Sequence, residues 1–434
     1  MIDLADLRAR PEAYQKAADV KNIKLNVAHV IALDEKRRAL VTVVEEMRAQ
    51  KNTVSKEVPN MKGDEKAKTI ADMKKLGEEL KAREAELEVL EKEWNAVLLQ
   101  LPMIPHKKTP VGKDDKENVE VSKHGKVPSF KFPIKDHQEL GELLDIIDAP
   151  RGVKIAGARS YFLKGDGARL HQAVLRFATD HLVGKGWTLF TPPLMASWEA
   201  LMGTGFFPGA EEQTYAVGAQ PERGGAVESD NMYLIGTAEV SVCSYHKDEV
   251  LHLADLPTRY AGMSNCFRRE AGTYGKDTRG LYRVHQFEKV EQVVLCEANE
   301  DKAMAMFEEI RTNAEEILQA LELPYRILNV CTGDMGKGKV FMQDIETWMP
   351  SREAYGETHS CSYLGDFQAR RLNIKYEDVD GTKKFVHTLN NTAIASPRIL
   401  IPILEIYQQK DGSVEIPKVL RPYMGGQKAI EPKY

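Results

Sequence analysis

Along the first quarter of the chain, apolar side chains recur at alternating steps of three and four residues, the spacing that lines up one face of an α-helix. Val30, Leu33, Leu40, Val44, Met47, Val54 and Val58 mark a first run, with Arg37 and Lys51 at the two remaining seam positions. Met73, Leu76, Leu80, Leu87, Leu90, Trp94, Val97 and Leu101 mark a second, broken by Arg83. No Gly or Pro falls between Val27 and Val58, whereas Pro59, Asn60 and Gly63 supply turn chemistry between the runs. The pattern predicts an antiparallel helical hairpin over about residues 28–100. At ~30 residues per helix and 1.5 Å rise it projects roughly 45 Å, too slender to bury much of its own surface. Heptads alone suit a dimerising coiled coil or a solvated spacer. Lysines gather toward the turn (Lys51, Lys56, Lys62, Lys66, Lys68, Lys74, Lys75) and acids nearer the base (Glu84, Glu86, Glu88, Glu91, Glu93), which also suits a polyanion gripped at the tip.

From Pro102 to about Lys135, scattered Pro, Gly and Lys read as a linker, after which the period changes. Ala168 to Leu182 has helical spacing, is closed by Gly184 and Gly186, and is followed by the short strand WTLFTPP. Met232–Ile235, Arg283–Val294 and Tyr325–Val330 alternate as strands, and Ala303–Leu321 reads as a helix. The expected architecture is α+β with an antiparallel sheet, divided into an N-terminal part over 1–110, a linker over 111–135 and a mixed core over 136–434. No repeat of 20 to 50 residues is apparent.

The 434 residues, 42% hydrophobic and 29% charged, exclude a wholly disordered or fibrous chain and suggest two or three domains. With 60 Lys+Arg against 65 Asp+Glu the formal charge is -5, so a polyanion would have to meet a local basic patch. No apolar run approaches the ~20 residues of a membrane span, and MIDLADLRARPEAY carries acids where a targeting peptide would avoid them. Five cysteines without a CxxC pair argue against a disulfide framework or zinc knuckle. A soluble protein of the reducing cytoplasm is expected.

The densest chemistry lies in CFRREAGTYGKDTRGLYRVHQFEKVE, Cys266 to Glu291. Read as a strand, Arg283, Phe287 and Glu291 share one face, offering a cation, an aromatic plate and an acid suited to phosphate, base and amine. Arg268 and Glu270 share parity on the preceding strand. Arg268, Arg269, Lys276, Arg279 and Arg283 crowd one loop and would repel each other without an anion between them, although cross-strand ion pairs on an exposed sheet would use the same residues. Other candidates are weaker. His285 reads as a hydrogen-bonded structural histidine rather than a general base, and Cys266 as a small core residue. His359 and Cys361 lack two further zinc ligands at suitable spacing. Gly152 and Gly157 form no dinucleotide fingerprint. Gly333, Gly338 and Lys339 match a P-loop spacing, but Val340 stands where a hydroxyl is needed, so this reads as an ordinary glycine-rich loop.

At this segment the chain closely resembles the seryl-tRNA synthetases of class II. FRREAG with RVHQFEKVE resembles motif 2, the Ala168 helix with GKGWTLFTPP resembles motif 1, and TAIASPRILIPILEIYQ resembles motif 3. LIGTAE, ETHSCS, DFQARR and LRPYMGG are further landmarks, and the likeness runs from the hairpin to the last residues. The resemblance implies a class II antiparallel sheet flanked by helices, a homodimer formed through motif 1, and an N-terminal coiled-coil arm that grips the long variable arm of serine tRNA, with selenocysteine tRNA a possible second partner. It implies that L-serine is activated with ATP to seryl-adenylate and transferred to the 3′-terminal adenosine of tRNA.

Carried onto matching positions, Arg268 holds the α-phosphate and the amino acid carboxylate, and Glu270 lies by the adenine. Phe287 and Arg398 sandwich the base, and Arg283 and Arg398 approach the γ-phosphate. Glu357 and Ser360 match the contacts for Mg²⁺ bound with ATP. Thr237, Glu239 and Glu291 surround the serine amino group, Glu291 and Thr392 its hydroxyl, and Asn390 lines the same pocket. Arg268, Glu291 and Arg398 are the expected catalytic residues. Alanine would leave the acid and alcohol unpaired, whereas threonine must be refused by size, since arm and core leave no space for an editing domain. Motif 3 departs from its usual glycines at Asn391, Ala393 and Pro397, implying a locally altered backbone, and Pro402 puts the start of its helix in doubt. Two rivals are a class II-like ligase that loads a carrier protein, which would lack the arm, and a non-catalytic RNA-binding paralogue, which would not keep Arg268, Glu291, Glu357 and Arg398.

Overall fold

A computed structural model describes residues 1–218, 229–272 and 280–433. Lys276 and Arg279 of the cationic loop lie outside the described residues. The chain forms two compact units, Met1–Ile104 and Pro105–Tyr434.

The first unit contains α1 (Leu4–Ala9), α2 (Pro11–Val20), α3 (Val27–Glu57) and α4 (Gly63–Leu98). The Asn26 side chain accepts from the His29 N–H at 3.2 Å and starts α3, and the turn at Val58–Asn60 reverses the chain. With 36 residues α4 spans roughly 54 Å. At the base of the hairpin Val30, Leu33, Trp94 and Leu98 pack with Leu7 and Tyr14 of the two short helices. Farther out, Val44 and Leu80 are the last buried seam residues, and between 45 and 79 every side chain is at least partly exposed. Of the cationic seam positions, Arg37 lies 5.8 Å over the Trp94 ring and Arg83 pairs with Glu86 at 2.8 Å, while Arg48 pairs with Glu84 between the helices at 2.7 Å.

The second unit is built on a sheet whose described strands are β1 (Val119–His124), β2 (Thr188–Phe190), β3 (Thr258–Phe267), β4 (Gln286–Cys296), β5 (Tyr325–Asn329), β6 (Phe341–Met349), β7 (Ala354–Gly365) and β8 (His387–Ser396). Their order is β1-β5-β6-β7-β8-β4-β3-β2, antiparallel except for the β2–β3 pair. Part of the stretch expected to be a linker is therefore structural, because Val119–His124 pairs with β5 as an edge strand. All six of its residues are exposed, Val119 and Val121 included, so it has no buried face.

Helices α5 (Asp166–Gly184) and α6 (Glu300–Ala320) cover one face of the sheet. Gln292 and Asn391 donate to the Ile310 carbonyl of α6 at 2.9 and 2.7 Å, which fixes the helix over β4 and β8. Asn391, at a position expected to favour glycine, thus faces a helix rather than a ligand. The β4–β8 ladder pairs Val290 with Ile394 and Glu291 with Thr392, skipping Ala393. This bulge is the local irregularity at the altered motif 3, and both strands continue through it. Helix α7 (Leu400–Tyr407) accommodates Pro402 because the first-turn N–H groups have no intrahelical acceptor to lose.

Candidate active site

Alternation along β4 gives the sheet two chemically different faces. Phe287, Lys289 and Glu291 line a cavity of about 400 Å³ on the face away from α5 and α6, while Glu288 and Gln292 turn toward those helices. β7 adds Glu357 and Ser360, β8 adds Asn390 and Thr392, and the turn after β8 adds Arg398. Arg268 and Glu270 also line the cavity, but from beyond the end of β3 rather than from a strand face. Glu270 has a left-handed backbone (φ 51°), consistent with a sharp turn there.

One end of the cavity is cationic and aromatic. The Arg268 guanidinium sits 5.2 Å over the Phe287 ring, and its Nε donates to the Gly236 carbonyl at 3.4 Å. Arg398 donates through Nε to the Tyr282 carbonyl and through Nη1 to the Glu357 carbonyl, both at 3.0 Å, with its guanidinium 4.4 Å over the Tyr282 ring. Its Nη1 is also 3.9 Å from the Glu357 carboxylate. Behind this end, His171 of α5 bridges β4 and β8. Its Nδ1 is 2.7 Å from Ser396 Oγ and its Nε2 is 3.5 Å from Glu288 Oε1, and Glu288 and Ser396 are register partners. Arg283 departs from expectation. β4 starts at Gln286, so Arg283 precedes the strand, and its Nη1 lies 3.5 Å from Glu270 instead of among the cavity-lining groups.

The other end is acidic and hydroxylic. Thr237, Glu291, Asn390 and Thr392 are buried, and Thr392 Oγ1 donates to Glu291 at 3.4 Å. Glu291 pairs with Lys289, their side chains 2% and 7% exposed. Glu239 accepts from Gln368 Nε2 at 2.7 Å. Burial, then the Glu291 charge, raise the Glu239 carboxyl above the ordinary carboxylate range. A ligand cation placed between the two acids would reverse that cost.

The structure thus gathers eleven of the twelve expected site residues around one cavity, with Arg283 set against Glu270. It also adds groups the sequence reading passed over. Lys289 lies at the same strand parity as Phe287 and Glu291, which was a usable signal. Lys337 and Lys339 line the cavity from the connection between β5 and β6, so the 333–339 loop, expected to be an ordinary glycine-rich loop, is part of it. Lys337 donates to the Pro208 carbonyl at 2.8 Å, and burial followed by the Arg371 charge lowers its ammonium to about 8. Asp344 of β6 is the cross-strand neighbour of Ser360. His285 is within 3.0 Å of the Arg268 carbonyl, a structural bond. His359 is enclosed between Thr358 Oγ1 and the Ala393 carbonyl at 2.8 and 3.1 Å, and burial lowers it to about 4, leaving the ring neutral.

Residues 1–105 match the family model for the seryl-tRNA synthetase N-terminal domain, and residues 225–407 match the tRNA synthetase class II core domain (G, H, P, S and T). The chain is 46% identical to a serine–tRNA ligase of Deinococcus radiodurans over 99% of both proteins, and 44% identical to that of Dictyoglomus turgidum over 98% of both. Its fold superposes on seryl-tRNA synthetase from Pyrococcus horikoshii, solved with ATP, with a TM-score of 0.89 and 36% identity over 100% of both chains. Cytoplasmic serine–tRNA ligase from Naegleria fowleri, solved with AMP, gives 0.83 and 32% over 98% of this chain and 96% of that one.

Proposed function

The chain belongs to the seryl-tRNA synthetase family, aminoacyl-tRNA ligases that join serine to tRNA at the expense of ATP, and we propose that the cavity described above carries out both halves of that reaction with the residues its two ends present. The observation that carries this assignment is the polarity of the cavity: guanidinium and aromatic groups at one end, two acids and two threonine hydroxyls at the other, within one space of about 400 Å³.

ATP lies at the first end with its base between Phe287 and Arg398, Glu270 beside the adenine and Arg268 against the α-phosphate. L-Serine lies at the second, its ammonium facing Glu239, Glu291 and Thr237, its hydroxyl facing Glu291 and Thr392, with Asn390 in the wall. The serine carboxylate attacks the α-phosphorus in line and pyrophosphate leaves, two anions being brought together, so Arg268 and Arg398 act by neutralising charge and fixing the approach. No side chain needs to become a nucleophile. The 3′-terminal ribose hydroxyl of tRNA then attacks the seryl carbonyl and AMP leaves. Arg283 approaches the γ-phosphate only by leaving Glu270.

The donors near the phosphate end fit a hard divalent cation. Glu357 and Ser360 offer oxygens, and a buried carboxylate oxygen of Asp344, beside Ser360 on the neighbouring strand, has no hydrogen-bond partner among the described residues. Mg²⁺ bound with ATP would be held by Glu357 and Ser360 and would supply neutralisation of the phosphate oxygens.

The arm is the grip for serine tRNA, its lysine-rich tip meeting phosphates and 2′-hydroxyls, and selenocysteine tRNA would present the same kind of surface. A homodimer through α5 and β2 is supported by exposed Val183 and Leu189 beside the free edge of the sheet. No described helix is long and apolar enough to cross a membrane, and the five buried, unpaired cysteines suit a reducing cytoplasm. The full-length match, arm included, favours this reading over a carrier-protein ligase. Serine-dependent exchange of pyrophosphate into ATP, compared with alanine, threonine and glycine, tests it. Exchange with serine alone is expected, and its absence would end the assignment.

A further inference from the structure

Asp344 is a buried acid that the reaction above does not use. It lies on β6 directly opposite Ser360 of β7 in the strand register, with 9% of its surface exposed. The two residues are cross-strand neighbours whose side chains share one face of the sheet, and Asp344 Oδ1 has no hydrogen-bond partner among the described residues. The surroundings are unfavourable for a charge. Asp344 is nearly removed from water, and the Glu357 carboxylate on the neighbouring strand adds a like charge. An acid kept in such a place needs a reason, because an apolar residue of similar size would avoid the desolvation.

We infer that Asp344 is a positioning residue for the divalent cation of ATP: it takes the hydroxyl proton of Ser360 in a hydrogen bond and so turns the serine lone pairs toward the cation site. A hydroxyl has one proton and two acceptor positions, and left to rotate it presents the proton as often as a lone pair. Anchoring that proton on the neighbouring strand leaves only acceptors facing the cation site. It also makes the oxygen more electron-rich, the usual effect of an outer carboxylate on a metal ligand. A dication in front of Glu357 and Ser360 in turn offsets the repulsion between Glu357 and Asp344. This inference rests on the reading that Glu357 and Ser360 hold the cation.

The test is titration of Mn²⁺, followed by electron paramagnetic resonance, into the full-length protein with a non-hydrolysable ATP analogue. Asp344→Asn should weaken Mn²⁺ binding by roughly 10- to 100-fold, the range typical for outer-shell partners. Ser360→Ala should weaken it comparably, and the double variant should be no worse than the weaker single one, because both remove the same oriented oxygen. Affinity for the metal-free analogue should be unchanged. If Asp344→Asn does not fold, Asp344→Ser replaces it in the same cycle. Mn²⁺ affinity within twofold of wild type in the Asp344 variant, alongside losses in Ser360→Ala and Glu357→Gln, would overturn the inference and leave the cation site standing. Additive losses in the double variant would also overturn it. Unchanged Mn²⁺ binding in both Glu357→Gln and Ser360→Ala would remove the cation site itself.

Discussion

Glu291→Gln keeps the shape of the side chain at the acidic end of the cavity and deletes one charge. A hydrogen bond to a charged group is worth about 1.5–3 kcal/mol, so losing the contact to serine should lower kcat/KM for serine by roughly 10- to 150-fold at a tenfold step per ~1.4 kcal/mol. KM for ATP should stay within about twofold, since Phe287 and Arg398 are untouched. A second effect must be separated from the first. Glu291 and Lys289 are an ion pair with side chains 2% and 7% exposed, so the substitution strands a buried ammonium. Breaking a pair in that setting typically costs about 3–5 kcal/mol of stability, whereas a surface pair would cost under about 1 kcal/mol. Relief of the Glu239–Glu291 repulsion offsets part of it. The double variant Lys289→Met/Glu291→Gln removes the stranded charge and should recover most of the melting temperature but none of the kcat/KM for serine. Pyrophosphate exchange at varied serine and ATP, with thermal melts of each variant, reads both quantities. Recovery of serine kcat/KM in the double variant would refute the reasoning, because Glu291 would then serve only to neutralise Lys289.

Shortening the hairpin by removing residues 41–84 with a short glycine bridge should spare pyrophosphate exchange and abolish tRNA charging. This cut is preferable to deleting 28–100, which would take Val30, Leu33, Trp94 and Leu98 out of the base cluster and expose Leu7 and Tyr14; undiminished charging would remove the role given to the arm. For Glu239, whose native carboxyl is raised by burial and then by Glu291, the native protein holds a proton that the unfolded chain has released once pH passes the ordinary glutamate value. Stability should therefore fall as pH rises between the unfolded and the native values, and Glu239→Gln should gain on wild type across that window, as melts against pH would show. The opposite slope would contradict the raised value. Serine KM should rise as pH drops, because its ammonium needs the ionised acid. His171→Ala should raise KM for ATP by about fivefold, the loss of one buried hydrogen bond, with KM for serine unchanged and partial rescue by His171→Asn; equal changes in both would mark a general packing defect.

Much of the architecture was legible because it is written in periodic burial. The hairpin announces itself since, above its base, each long helix packs along the other and must repeat its apolar step to meet it. The site strand was legible for the same reason in Phe287 and Glu291, which share a face, while Lys289 at the same parity went unread. What failed to show depends on tertiary context. β1 has six exposed residues, and only its pairing with β5 makes it a strand. Arg283 keeps strand parity by number, yet the chain reaches β4 only at Gln286. Lys337 and Lys339 become site residues because the connection between β5 and β6 borders the cavity, which a glycine-rich spacing does not reveal. Asp344 is one acid among many until Ser360 is found opposite.

The seam of the arm loses its buried residues halfway along, and this divides the hairpin into a foundation and an outer reach with different tolerances. Past Val44 and Leu80, replacing a side chain should cost no more than an ordinary surface change, about 0.5 kcal/mol. Backbone amides there should trade their hydrogens for deuterium well before those of the root. The outer reach can therefore be rewritten, by drift or by design, to follow a different RNA contour while the chemistry of adenylate formation stays as it is.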